Sequence, residues 1–172
     1  YVQAVSGGMG PIGVYKVFRE LKQMGLIDKI PALVPIQADG CAPMVTSWKQ
    51  GLEKAIPVVT PKTRIETLAT GDPGRSYTIL RERVNETNGV FESVSDEDTF
   101  RAMHVLAKME GISAEPAAGV AFAGAGRLDG AVGLFLCAVT ATGIEPSAMA
   151  STTMRSVTGR KRRRIPLIIL PY

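Results

Sequence analysis

The sequence predicts an α/β fold with a mainly parallel, open sheet flanked by helices. Short apolar segments bounded by turn residues alternate with stretches of helical periodicity, the pattern of strands joined by helical crossovers. A glycine cluster, Ser6 to Pro11 (SGGMGP), stands between one strand-like segment and the helix that follows it. With 172 residues and 45% hydrophobic composition, the chain has material for one compact domain or a large piece of one.

Tyr1 to Val5 reads as a short strand, because Tyr and Val suit a pleated surface and the glycines after it end the pattern. Val14, Val17, Phe18, Leu21 and Met24 then recur at helical spacing opposite Lys16, Arg19, Glu20, Lys22 and Gln23, with Gly25 as C-terminal cap. Ala32 to Gln37 (ALVPIQ) reads as a buried parallel strand in which Pro35 removes one ladder hydrogen bond. A helix through Val45, Trp48 and Leu52 is expected after Ala42, and the proline-punctuated stretch from Pro57 to Pro73 is expected to be mostly loop. Ser76 is expected to cap a helix through Tyr77, Leu80 and Val84 that ends at Asn88 and Gly89, and Val90 to Val94 alternates as a strand. Ser95 and Asp98 resemble a capping box ahead of a helix with Phe100, Met103, Leu106 and Ala107 on one side. Pro116 suits the first turn of a closely packing, alanine-rich helix that runs to Ala125. There are no internal repeats.

Composition narrows the function classes. Cys41 and Cys137 lie far apart without metal-ligand spacing, and His104 is the only histidine, so neither a zinc site nor a Cys-His nucleophile pair is indicated and no metal is expected. His104, flanked on its helix by Met103 and Val105, reads as structural. Arg155, Arg160, Lys161, Arg162, Arg163 and Arg164 carry more positive charge than the net +4 of the whole chain, so the basic balance belongs to a tail and the rest is net negative. That tail lacks interleaved aromatics, and nucleic acid is not an expected partner. No run of eighteen apolar residues and no signal-peptide pattern occur, so a soluble, cytoplasmic protein without a membrane partner is expected. The chain starts without methionine inside a strand-like segment, which reads as an N-terminal truncation.

The SGGMGP loop is the most informative stretch. Glycines let successive backbone N–H groups face one concavity, and the free N–H groups and dipole of the helix start favour an anion there, with phosphate the obvious guest. The glycines fall at 7, 8, 10 and 13, without the Walker lysine or the dinucleotide spacing, which disfavours an ATPase or an NAD site. On the residues alone a second reading stands beside this one: a tight strand-to-helix turn with no guest.

The stretch YVQAVSGGMGPIGVYKVFRELKQMGLI, followed in order by PIQADGCAP, GVFESVSDEDTFRAMHVLAKMEGISAEPAAG and a helix ending in AGRL, resembles the later half of the threonine synthase family among fold type II pyridoxal-phosphate (PLP) enzymes. The resemblance covers residues 1–128, taken as one catalytic-region segment, and leaves 129–172 as a divergent segment. It implies that the backbone of Ser6, Gly7, Gly8, Met9 and Gly10 grips the phosphate of pyridoxal 5'-phosphate. It also implies the reaction: a lysine holds the cofactor as a Schiff base, O-phosphohomoserine replaces it, phosphate leaves the γ-carbon, and water adds at the β-carbon to give threonine. The family's loop often has asparagines where this one has serine and methionine, so the backbone contacts carry over better than the side-chain ones. The Schiff-base lysine belongs to a segment N-terminal to this chain, so no catalytic residue is assigned and the chain alone is expected to be inactive.

Further positions follow from the same resemblance. Glu115, with Pro116 and Ala117, matches a motif near the cofactor, while its other reading is an acid at a helix start. Gln37, Asp39, Gly40 and Cys41 match the stretch after the next strand, on the ligand side of an open sheet or in a plain chain reversal. Thr140 is the local candidate for the hydroxyl that meets the cofactor's pyridine nitrogen. The ending SVTGRKRRRIPLIILPY has no family counterpart and reads either as a genuine divergent, disordered tail or as a reading-frame change, the second favoured because six cations followed by IPLIIL make neither a good surface nor a good core. A phosphorylated amino-acid substrate and a homodimer are expected for the full-length enzyme. In the piece alone, sheet edges and apolar helix faces that the missing half would cover favour association. Rivals are a threonine dehydratase or cysteine synthase of the same fold and a non-catalytic anion-binding or assembly module.

Overall fold

A computed structural model of the chain describes residues 1–128. Three parallel strands, β1 (Val2–Ala4), β2 (Val34–Ala38) and β3 (Glu92–Val94), lie in sequence order with β2 in the middle. Val2 pairs with Val34 and Ala4 with Ile36, and Ile36 pairs with Glu92 and Ala38 with Val94. The helices are α1 (Met9–Gln23), α2 (Pro43–Lys49), α3 (Arg75–Glu86), α4 (Asp96–Glu110) and α5 (Pro116–Arg127).

Side-chain alternation along the strands divides the core into two layers. Leu33 joins Val5, Phe91, Met44 and Val45 of α2, and Tyr77, Leu80 and Val84 of α3 on one face. Val34, Ile36 and Ala38 join Val94, Ile65, Leu68 and Val120 of α5 on the other. A period of two puts odd and even residues on opposite faces, so β2, buried along its whole length, is apolar nearly throughout. Pro35 is accommodated by the same parity. The Val34 amide donates to Tyr1 O at 2.7 Å and Ile36 O accepts from Val5 at 2.8 Å, so even residues serve β1. Leu33 O accepts from Val90 at 3.2 Å, so odd residues serve β3, and the donor that Pro35 lacks is on that side.

Local signals explain the helix ends. Gly25 takes φ 71° after α1, and the Leu26 amide reaches back to Leu21 O at 3.0 Å, closing the helix as expected. Ser95 caps α4, its hydroxyl accepting from the Asp98 amide at 3.0 Å, worth about 1 kcal/mol. The Asp98 carboxylate turns to Arg127 of α5 at 2.6 Å, so only one half of the box forms. Three expectations are corrected. Gly74 (φ 55°), not Ser76, is the N-cap of α3. Leu52 lies beyond α2, which stops at Lys49. Val17 and Met24 face solvent, because α1 lays Pro11 and Phe18 against the body and the sequence pattern cannot show which apolar positions are covered.

Across α1 and α3, Tyr15 donates to Glu86 Oε2 at 2.7 Å and Arg83 to Glu86 Oε1 at 2.5 Å. These bonds, the tyrosine's first, hold the Glu86 carboxyl below its usual range. A depressed carboxylate stabilises the fold fully above its unfolded pKa and loses that contribution as pH falls through the folded value. Glu86→Gln should therefore flatten the fall in melting temperature as pH drops through and below the ordinary carboxylate range, and only slightly at this surface position. An unchanged acid limb in calorimetry would contradict this.

Candidate functional site

The ends of β1 and β2 bring two of the sequence-predicted groups to the same edge of the sheet. After β1, Val5 is buried and Ser6, Gly7 and Gly8 turn the chain into α1, with Gly8 as its N-cap at φ 82° and ψ 7°. A side chain at Gly8 would meet Met44 Cε at 2.8 Å, so the loop rests directly on α2. At Gly7 nothing lies within 4 Å of where a Cβ would stand, which leaves that side of the loop open.

Among the described residues no acceptor is assigned to the amides of Gly7, Gly8, Met9 or Gly10, as the first turn of a helix requires. Amides without an acceptor among the described residues, at the positive end of a helix of fifteen residues, suit a phosphate dianion. The residues present therefore fit a phosphate group such as the one pyridoxal phosphate carries, with the main chain supplying most of the grip.

Two hydroxyls hold the loop from outside, and sequence reasoning missed both. Ser6 Oγ lies 2.5 Å from Thr70 Oγ1, and Ser76 Oγ donates to Gly7 O while also lying 2.6 Å from Pro73 O. The long connection that carries Thr70 crosses the carboxyl ends of the strands. Its Lys62 amide donates to Gly40 O at 2.8 Å, and Asp96, at the start of α4, accepts from Thr63 Oγ1 at 2.7 Å and from the Arg64 amide at 2.6 Å. The only available signal was a run of Thr, Ser, Gly, Asp and Pro, which marks turns without saying what they touch.

The remaining candidates separate by burial. Gln37 is fully buried and its Oε1 accepts from the Met44 and Val45 amides at 2.9 and 3.2 Å, so it completes the start of α2 rather than lining the loop. Asp39, Gly40 and Cys41 form one 3₁₀ turn after β2. Cys41 is buried, and burial pushes its thiol up, which disfavours the nucleophilic thiolate. Glu115 is an exposed N-cap of α5 whose carboxylate makes no capping hydrogen bond. His104 is exposed on α4. Thr140, Cys137 and the basic tail lie outside the described residues. Among the described residues no group of three metal-ligating side chains occurs, and no helix is long and apolar enough to cross a membrane.

The chain is similar to several known proteins. The chain is 39% identical over 127 residues to a threonine synthase of Methanosarcina acetivorans, covering 71% of this chain and 30% of that protein. It is 34% identical over 157 residues to a threonine synthase of Mycobacterium bovis, covering 88% and 41%, and 32% identical over 133 residues to a cysteate synthase of Methanosarcina acetivorans, covering 72% and 32%. The chain thus spans well under half the length of these relatives. Among solved structures, a threonine deaminase of T.th. superposes with a TM-score of 0.58 at 21% identity, covering 74% of this chain and 43% of that one. The processed threonine deaminase isoform 2 of Solanum lycopersicum gives 0.58 at 18%, covering 78% and 33%. These neighbours share the fold type II architecture of parallel sheet and flanking helices. The family model described as "Pyridoxal-phosphate dependent enzyme" matches residues 1–138, and the chain belongs to that family.

Proposed function

We propose that this chain is the phosphate-gripping part of an enzyme of the threonine synthase kind, which turns O-phosphohomoserine and water into threonine and phosphate. The observation that carries this reading is its 39% identity over 127 residues to a threonine synthase. Pyridoxal phosphate, when bound, supplies the electron sink for elimination and addition at carbon. The amides of Gly7, Gly8, Met9 and Gly10 donate to the cofactor's phosphate ester, and Ser6 adds a hydroxyl. The buried face beneath, with Met44 and Leu80 under Gly8, supports the loop at that point, so the charge is held by preorganised dipoles.

None of the chain's lysines stands in a segment matching the family's cofactor lysine, so this chain holds the phosphate end and does not catalyse alone. Residues 1–128 form the working segment. A cytoplasmic enzyme that assembles as a homodimer is part of the same proposal. The test is release of phosphate from O-phosphohomoserine in the presence of pyridoxal phosphate. The 172-residue chain should release none above background, and the complete product of the gene should release phosphate and threonine in equal amounts. A complete product that instead deaminates threonine or forms cysteate, with no phosphate released from O-phosphohomoserine, would assign the chain to one of those kinds.

A further inference from the structure

We propose that Ser76 and Thr70 are positioning residues for the anion site, fixing the directions of the Gly8 N–H and the Ser6 hydroxyl. This rests on the phosphate-gripping loop proposed above. The Gly7 carbonyl and the Gly8 N–H belong to one planar peptide unit and point in opposite directions across it. That unit is flanked by two glycines, the residues that restrain a peptide plane least, so the loop's own chain does not set its orientation. Ser76 does so from the first turn of α3, by donating to Gly7 O across 69 residues of sequence. With the carbonyl held on the α3 side, the Gly8 N–H is turned the other way. The same serine oxygen lies 2.6 Å from Pro73 O, so its single proton is shared by two carbonyls on either side of the contact.

Thr70 acts on the neighbouring donor. One hydroxyl of the Ser6–Thr70 pair must donate to the other, and their oxygens are 2.5 Å apart. An anion only accepts. With phosphate in the loop Ser6 gives its proton to the anion, and Thr70 donates to Ser6 in turn. By donating to Ser6, Thr70 fixes that hydroxyl in the orientation that leaves its own proton for the anion. Neither residue needs to touch the anion: Thr70 lies on the connection that Lys62 also fastens to Gly40 O, and Ser76 in the first turn of the helix that follows it.

Calorimetric titration of the 172-residue chain with inorganic phosphate tests this. Wild type should bind, Ser76→Ala and Thr70→Val should each bind roughly tenfold more weakly, and Ser76→Thr and Thr70→Ser should stay within about twofold of wild type. The Gly8 amide resonance of phosphate-free Ser76→Ala should move while the melting temperature stays near that of wild type, a pairing that a purely structural role would not give. Should Ser76→Ala fail to fold, Ser76→Cys, which keeps the size and weakens the donor, takes its place with the same expected loss. Wild-type affinity in Ser76→Ala (or Ser76→Cys) and Thr70→Val would overturn the positioning role and leave the loop reading intact. Absence of binding by wild type would overturn the loop reading and the positioning role with it.

Discussion

Gly8→Ala should abolish measurable phosphate binding and lower stability by about 1–3 kcal/mol. Gly8 holds φ at 82°, where a Cβ is strained. That Cβ would also stand 2.8 Å from Met44 Cε and 3.2 Å from Leu80 Cδ2, both on fully buried side chains. The strain at φ 82° is relieved by turning the Gly8 peptide, and that movement scatters the amides proposed to face the anion. Chemical denaturation and phosphate titration of the same preparation check both effects. Wild-type affinity in a folded Gly8→Ala protein would show that the amides are not what binds.

Gly89→Ala should be more damaging to the fold, costing more than about 3 kcal/mol. A Cβ there would lie 1.9 Å from Leu33 O. That oxygen belongs to the backbone at the start of β2 and accepts from Val90, so no side-chain rotation relieves the clash. Gly89 also closes α3, its amide bonding Val84 O at 2.8 Å after Asn88 turns through φ 53°. Moving it parts α3 from β3 and β3 from β2 together. Loss of the cooperative thermal transition is the expected readout, and a melting temperature within a few degrees of wild type would contradict it.

The order of strands and helices was legible in the sequence because each is set by local chemistry. The Gly25 cap, the Ser95 cap, Pro116 at a first turn and the apolar run around Ile36 all act within a few residues of themselves. Errors arose where the deciding partner is distant. Ser76 carries the side chain of a good cap, yet Gly74 takes that position and Ser76 is drawn to Gly7. Val17 and Met24 continue the apolar stripe of α1 without being covered, since periodicity records a face and not what lies opposite. Gln37 stood near the expected ligand edge, but the parity of β2 turns its side chain inward to α2. The loop's place as a strand-to-helix turn was readable from its glycines. The hydroxyls that brace it were not, because a contact between residues 6 and 70 leaves no periodic trace.

Residue-resolved amide spectra during addition of pyridoxine 5'-phosphate, which cannot couple to lysines, test the central claim most directly. The account predicts saturable movement of the Gly7, Gly8, Met9 and Gly10 resonances, reversed by excess inorganic phosphate and absent with pyridoxine. Spectra in which these four amides stay still while the ligand binds elsewhere, or in which pyridoxine acts equally well, would contradict it.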